Sequence, residues 1–297
     1  MRFDSYHPLI NCLFFAAVII CAALFDHPAY IAIGLASAFA YAVKLRGRKA
    51  LAFNTTALVV GAAWSAGFTA TMHFGVTDIG ITLVGNAVTL EALCCGMAQG
   101  ARLSAVLMWL SCLLTVFTAD KVVFILGRVS PRLSAATAIV LRAVPVANAQ
   151  RRTIAAAQGG VGNGPGQGGL PHRMRGMVRR MGAMADWITD YFFQVAESLR
   201  CRGSVLRGRT SYALYRFDNR DRMLVIAFAL LGTVVGVAAA LDQTVIQYAP
   251  EIVFGRLTPA SSAFMAAYAV FCLLPLMLQT IGEARFPQPS DGGEEAF

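Results

Sequence analysis

Apolar residues run on over lengths that a soluble helix rarely needs. Met223 to Leu241, Ala260 to Ile281 and Leu51 to Met72 each pass without a charge. A bilayer core takes about 20 apolar residues per helix, with a working range of roughly 17 to 25. Leu9 to Phe25 just reaches that range. Pro28 to Val43 is shorter and follows the Asp26-His27-Pro28 break, and the two together read as a helical hairpin through the membrane. Ile79 to Ala119 is apolar too, but Glu91, Arg102 and the Gln99-Gly100 break interrupt it. It reads either as two spans or as one long, bent helix.

Composition supports the membrane reading. Hydrophobic residues make up 57% of the chain and charged residues 14%, where a soluble domain carries about 25% charge. The positions of the charges then set the topology. Lys44, Arg46, Arg48 and Lys49 mark the loop after the second span as cytoplasmic. Residues 119–222 hold 17 of the 25 Lys and Arg against six acids, a net of +11 where the whole chain has +9. This block is therefore expected on the cytoplasmic side as well, with residues 79–119 as one net crossing. The expectation is an all-α, polytopic helical membrane protein with six crossings and both termini inside. Residues 1–118 and 223–281 form the membrane part, 119–222 a cytoplasmic region of long helices, and 282–297 a cytoplasmic tail. The first apolar run has no cleavage site and leads straight into a second span, so it does not read as a signal peptide. The seven cysteines lie mostly in apolar runs without Cys-x-x-Cys pairs, and the four histidines are scattered. Buried thiols are expected, with neither a disulfide framework nor a metal site.

Within the basic block, Met184, Trp187, Ile188, Tyr191, Phe192, Val195 and Leu199 recur at helical spacing, with Asp186, Asp190, Gln194 and Glu197 on the other side. This amphipathic helix is too polar to span a bilayer. It ends in Arg200-Cys201-Arg202-Gly203. Glycine suits the left-handed position just past a helix, and arginine suits the negative end of the helix dipole, so the run reads as a well-capped helix end. Alternatively, Arg202 projects from the tip to a partner's carboxylate. A second helical stretch runs from Leu133 to Gln158, where Pro145 should kink it. Beyond it, residues 159–169 hold seven Gly and one Pro. That run is a flexible linker and lacks the strand and the Gly-Lys-Ser/Thr ending of a phosphate loop, so this chain is not expected to bind ATP.

These residues in this order resemble the transmembrane coupling component of energy-coupling factor transporters, a branch of the ABC importers. Leu141-Arg142-Ala143-Val144-Pro145 looks like the family's Arg-x-x-Pro element. Ala157-Gln158, thirteen residues after Pro145, stands where the family's first Ala-Gln-x-x-Arg-Gly motif begins. Cys201-Arg202-Gly203 is similar to the second motif, Ala-Arg-Gly, with Cys for Ala, and Gly208-Arg209-Thr210-Ser211-Tyr212 continues it. Asp4-Ser5-Tyr6-His7-Pro8-Leu9 is similar to the family's polar lead into the first span. The first motif departs from the pattern, with Val161 before Gly162 where an Arg belongs, and Arg152 or Arg173 is a candidate substitute.

The resemblance implies a non-catalytic subunit without a cofactor of its own. Two coupling helices would seat in grooves on two ABC ATPase subunits, which bind the ATP. Closure of the ATPases would move a separate substrate-binding membrane subunit that carries a vitamin or a transition-metal ion. The residues implied at the ATPase contact are Arg142, Pro145, Ala157, Gln158, Gly162, Arg200, Cys201, Arg202, Gly203, Arg209 and Thr210. The localisation implied is the cytoplasmic membrane.

Two other classes compete. A membrane-embedded enzyme on lipid or prenyl substrates needs clustered carboxylates or an activated nucleophile, and the acids here are dispersed, with Asp186 and Asp190 one helical turn apart on the polar face. A scaffold would use its basic block only to hold lipid headgroups. Nucleic acid is not expected as a partner, since the basic residues alternate with an apolar stripe and form no binding motif. Glu91 and Arg102, eleven residues apart and both at apparent membrane depth, are functional candidates by default.

Overall fold

The computed structural model describes residues 3–72, 75, 77–83, 86–162, 169–203, 215, 217–246, 248 and 258–285. Nine α-helices are present among them: α1 (Pro8–Leu24), α2 (Pro28–Arg46), α3 (Arg48–Thr71), α4 (Leu90–Val116), α5 (Ala119–Val129), α6 (Pro131–Gly160), α7 (Leu170–Cys201), α8 (Asn219–Ala240) and α9 (Pro259–Arg285). Prolines set several of the starts. Pro8, Pro28, Pro131 and Pro171 stand in the first two positions of their helices, and Pro259 opens α9. A missing N–H costs nothing there, and the fixed φ is already helical. The fold is all-α apart from a short antiparallel ribbon, β1 (Asp78–Leu83) and β2 (Asn86–Thr89), in register Asp78↔Thr89, Thr82↔Ala87 and Leu83↔Asn86. The chain divides into two compact units, residues 1–118 with 215–297 and residues 119–214. The sequence boundary at 222 falls inside α8.

In the first unit, α2, α3, α4, α8 and α9 are long and apolar enough to cross a bilayer, and α1 is a shorter apolar helix of 17 residues. The chain is thus a multi-pass helical membrane protein. Burial along α3 runs opposite to that of a soluble helix. Asn54, Ala57 and Gly61 are buried, while Val59, Val60 and Trp64 are exposed. Small and polar residues facing inward, with bulky apolar ones outward, is the pattern of helices solvated by lipid. Residues 79–119 hold one spanning helix of 27 residues, α4, preceded by the ribbon. The Gln99-Gly100 step does not break it.

Gly100 has another use. The α3–α4 pair is packed through small residues four apart, Gly61, Ser65 and Thr69 on α3 against Gly96, Gly100 and Ser104 on α4. A Cβ on Gly100 would overlap the Gly61 carbonyl oxygen and stand 2.9 Å from the Ser65 Cβ. A Cβ on Gly96 would stand 3.0 Å from the Ser65 carbonyl oxygen. The Ser104 hydroxyl donates to the Ala57 carbonyl at 3.1 Å across the same seam. Close backbone approach of this kind drives association in lipid, where no hydrophobic effect separates one apolar face from another.

An aromatic core holds the remaining helices. Phe14 of α1 stacks on Phe228 of α8 at 5.1 Å and meets Phe271 of α9 at 5.5 Å and Trp109 of α4 at 6.1 Å. Polar bonds then tie the bundle at both ends. At one end, Arg46 donates to the Ser111 carbonyl and to Thr115 Oγ1, both at 2.6 Å, and Lys44 pairs with Glu283 at 2.6 Å. Asp221, in the capping box of α8, accepts from the His7 N–H at 3.4 Å. At the other end, the Asp26 and His27 N–H groups donate to the Thr244 carbonyl at 3.0 and 2.9 Å, and Tyr248 Oη donates to the Asp26 carbonyl at 3.0 Å. Burial holds the His27 imidazole below the ordinary histidine range. Its Nδ1 accepts from the Ala29 N–H at 3.2 Å. These ends are mutually consistent: α2, α4 and α9 finish where α1, α3 and α8 begin.

The two intramembrane candidates both have structural partners. Arg102 pairs with Asp26 at 2.5 Å and donates to Gln99. Glu91 lies in the first turn of α4, where the helix dipole favours an acid, and accepts from Thr77. Both members of the Asp26–Arg102 pair remain partly exposed, which reduces its worth below that of a fully buried pair. Arg102→Ala is expected to cost about 1–3 kcal/mol. Thermal unfolding in detergent would register this as a lowered midpoint, and the Asp26→Arg/Arg102→Asp exchange would restore part of it.

Candidate functional site

The second unit carries the sequence-predicted site residues. It is built from α5, α6 and α7, with α6 packed on both of the others. α5 stops at Val129 because Ser130-Pro131 starts a new helix, and Ser134 Oγ returns a bond to the Val123 carbonyl at 2.9 Å. α6 runs without interruption through Pro145 and reaches 30 residues. Pro145 leaves the Leu141 carbonyl without its usual helical donor. Arg142 and Pro145 are both exposed, midway along α6. Ala157 and Gln158 lie in its last turn.

α7 is longer than its amphipathic stripe, with 32 residues from Leu170 to Cys201. Its N-terminal half carries Arg173, Arg175, Arg179 and Arg180 among methionines, which concealed the helical start from a reading based on the later stripe. That stripe is also divided. Met184, Trp187, Tyr191, Val195 and Leu199 are half-buried, with Trp187 stacked on Tyr191 at 5.3 Å, whereas Ile188, Phe192 and Phe193 are exposed.

The two helices end in the same way. In α7, Arg202 is the cap and Gly203 follows at φ 73°, its N–H donating to the Arg200 carbonyl at 2.9 Å. In α6, Val161 is the cap and Gly162 follows at φ 81°, its N–H donating to the Gly159 carbonyl at 3.2 Å. Both glycines occupy the left-handed region that side chains avoid. Each helix therefore presents one cap residue at its end. At α7 that residue is the exposed Arg202, with exposed Arg200 and Cys201 beside it. At α6 it is Val161, 78% exposed, and there is no basic residue in the last turn. Arg152 lies more than two turns before the α6 tip. Arg173 belongs to the first turn of α7, so neither supplies the cap position. Arg209 and Thr210 lie outside the described residues.

The tips do not sit side by side. His172 Nε2, at the start of α7, lies 3.2 Å from the Gly162 carbonyl oxygen. Arg202 is 30 residues farther along α7, about 45 Å of helix at 1.5 Å per residue. One exposed cap residue thus stands at each of two well-separated helix ends. Among the described residues there is no group of three His, Cys, Asp or Glu placed to hold a metal, and Asp186 and Asp190 are exposed. No known family model matches the chain, and no curated protein matches it.

Gly203→Val and Gly162→Val should each cost about 1–2 kcal/mol through the left-handed backbone alone. Hydrogen exchange would show faster exchange confined to the last turn of the helix concerned, with the rest of α6 and α7 unchanged.

Proposed function

We propose that this chain is the transmembrane coupling component of an energy-coupling factor importer. The observation that carries the reading is the pair of matching helix ends, Val161-Gly162 and Arg202-Gly203, on two long helices of a multi-pass protein. In this role α6 and α7 are levers. A helix with its backbone bonds made transmits displacement along its length, and a cap residue at its tip is the point of contact. Arg202 presents a permanently charged planar fork that bonds a carboxylate through two N–H groups, which suits an acidic groove on an ABC ATPase subunit. Val161 at the other tip offers an apolar contact, so the α6 partner groove meets a hydrophobic side chain where the α7 groove meets a cation. ATP binds and is hydrolysed on those partner subunits. Their closure displaces the tips, and the levers carry that motion to a separate membrane subunit that holds the vitamin or transition-metal ion. On this reading the membrane is the cytoplasmic membrane, with both termini and residues 119–222 on the cytoplasmic side.

The interlocked α3–α4 pair and the ion pair at Asp26 give the membrane unit the stiffness such a role needs. Purification from its native membrane in mild detergent should bring down a pair of nucleotide-binding subunits in fixed ratio to this chain. Repeated recovery of the chain with no ATP-binding partner would count decisively against the assignment.

A further inference from the structure

The N-terminal half of α7 carries a surface that the coupling role does not use. Met174, Met177, Val178 and Met181 are 58–71% exposed. Helical spacing puts them on one side of α7, and the same side continues through exposed Ile188 and Phe192. The covered side is the adjacent one, where Gly176 is buried and Arg180, Trp187 and Tyr191 are half-buried. Exposed Arg173 lies on the edge next to the covered side and exposed Arg175 on the other edge, with Arg179 farther round from it. Residues 170–185 contain no acid.

We infer that this face lies in the headgroup region of an anionic bilayer. The argument rests on the combination of charge and shape. Flexible methionine side chains bounded on both edges by arginine match an interfacial helix, whose apolar side enters the acyl boundary while long cationic stems reach outward to phosphates. A rim that is cationic on both edges complements a surface of one sign, and the inner leaflet of a cell membrane is such a surface. The inference does not depend on what Arg202 binds.

Photo-crosslinking of the full chain tests it. Val178→p-benzoylphenylalanine is placed in vesicles of phosphatidylglycerol and phosphatidylcholine, in vesicles of phosphatidylcholine alone, and in intact cell membranes. Asp190→p-benzoylphenylalanine, on the opposite side of α7, is the control. Lipid adducts are expected at position 178 in anionic vesicles and in cells, with far lower yield at 190. Neutral vesicles, or the Arg175→Glu/Arg179→Glu pair in anionic ones, should lower the yield at 178 by about tenfold or more, since each basic residue near an anionic surface contributes separately. Absence of lipid adducts at 178, equal labelling at 178 and 190, or a protein adduct at 178 in cells would each overturn the inference. Because the vesicles contain no partner subunit, failure here leaves the coupling assignment standing, and loss of that assignment leaves this result unchanged.

Discussion

Arg202→Glu is expected to abolish ATP-driven transport while the chain still inserts and folds. The side chain is exposed at the end of α7, and its backbone N–H bond to the Ser198 carbonyl at 3.1 Å is kept by any residue. The helix end should therefore persist, with a modest penalty from placing an acid at the negative end of the dipole, about 0.3–1 kcal/mol. The partner contact should not. Removing one member of a buried, hydrogen-bonded charge pair costs about 2–5 kcal/mol, roughly thirty- to several-thousand-fold in affinity, and an acid facing an acid adds repulsion. Arg202→Lys should recover part of the activity, because the charge returns without the planar fork. Val161→Glu at the α6 tip should have a smaller effect, since no cation is lost there. Transport, ATP hydrolysis and membrane insertion measured on the same preparations separate these outcomes.

The second large effect belongs to the membrane unit. Gly100→Leu should leave little folded protein. Even one added carbon at this position overlaps the Gly61 carbonyl, which belongs to a helix backbone and cannot turn aside as a side chain would. Inserting bulk into a well-packed site costs about 1–3 kcal/mol when neighbours can yield, and here α3 and α4 must separate along the seam. Loss of the Ser104–Ala57 bond would follow. Gly67→Ala provides the contrast. Gly67 lies on the same helix with nothing near its Cβ position, so alanine should stabilise α3 by up to about 1 kcal/mol through helix propensity. Fluorescence-detected size exclusion should show a sharp peak for Gly67→Ala and an aggregated or missing one for Gly100→Leu.

Much of the membrane architecture was legible from run length alone. Ala260 to Ile281 falls within α9, and Met223 to Leu241 and Leu51 to Met72 each overrun α8 and α3 by one residue, because a bilayer imposes both length and apolarity on a spanning helix. Glycine misled where its role was packing. Gly100 and the polar Gln99 suggested a break in α4, yet the helix continues, and the glycine is required by a partner helix that the linear sequence does not show. The ribbon at 78–89 escaped notice for a related reason: its short apolar strands merge into the run that becomes α4. Arg102 could not be assigned from spacing, since its partner, Asp26, is 76 residues away.

The candidate site was half legible. Arg202-Gly203 declared itself as a helix end by chemistry that acts over four residues, and the left-handed glycine is there. Val161-Gly162 looked like a defect in the motif, but its backbone repeats the same ending, a property of glycine rather than of the missing arginine. The length of α7 was hidden because a helix with an exposed apolar side does not show the single apolar stripe of a helix packed against its own domain.

The most direct test of the coupling role is capture from the α7 tip. Cys201→p-benzoylphenylalanine, irradiated in native membranes, should yield one dominant protein adduct, and mass spectrometry should identify it as a nucleotide-binding ATPase subunit. An adduct only to lipid, or to a protein without a nucleotide-binding fold, would contradict the role assigned to Arg202 and to the helix that carries it.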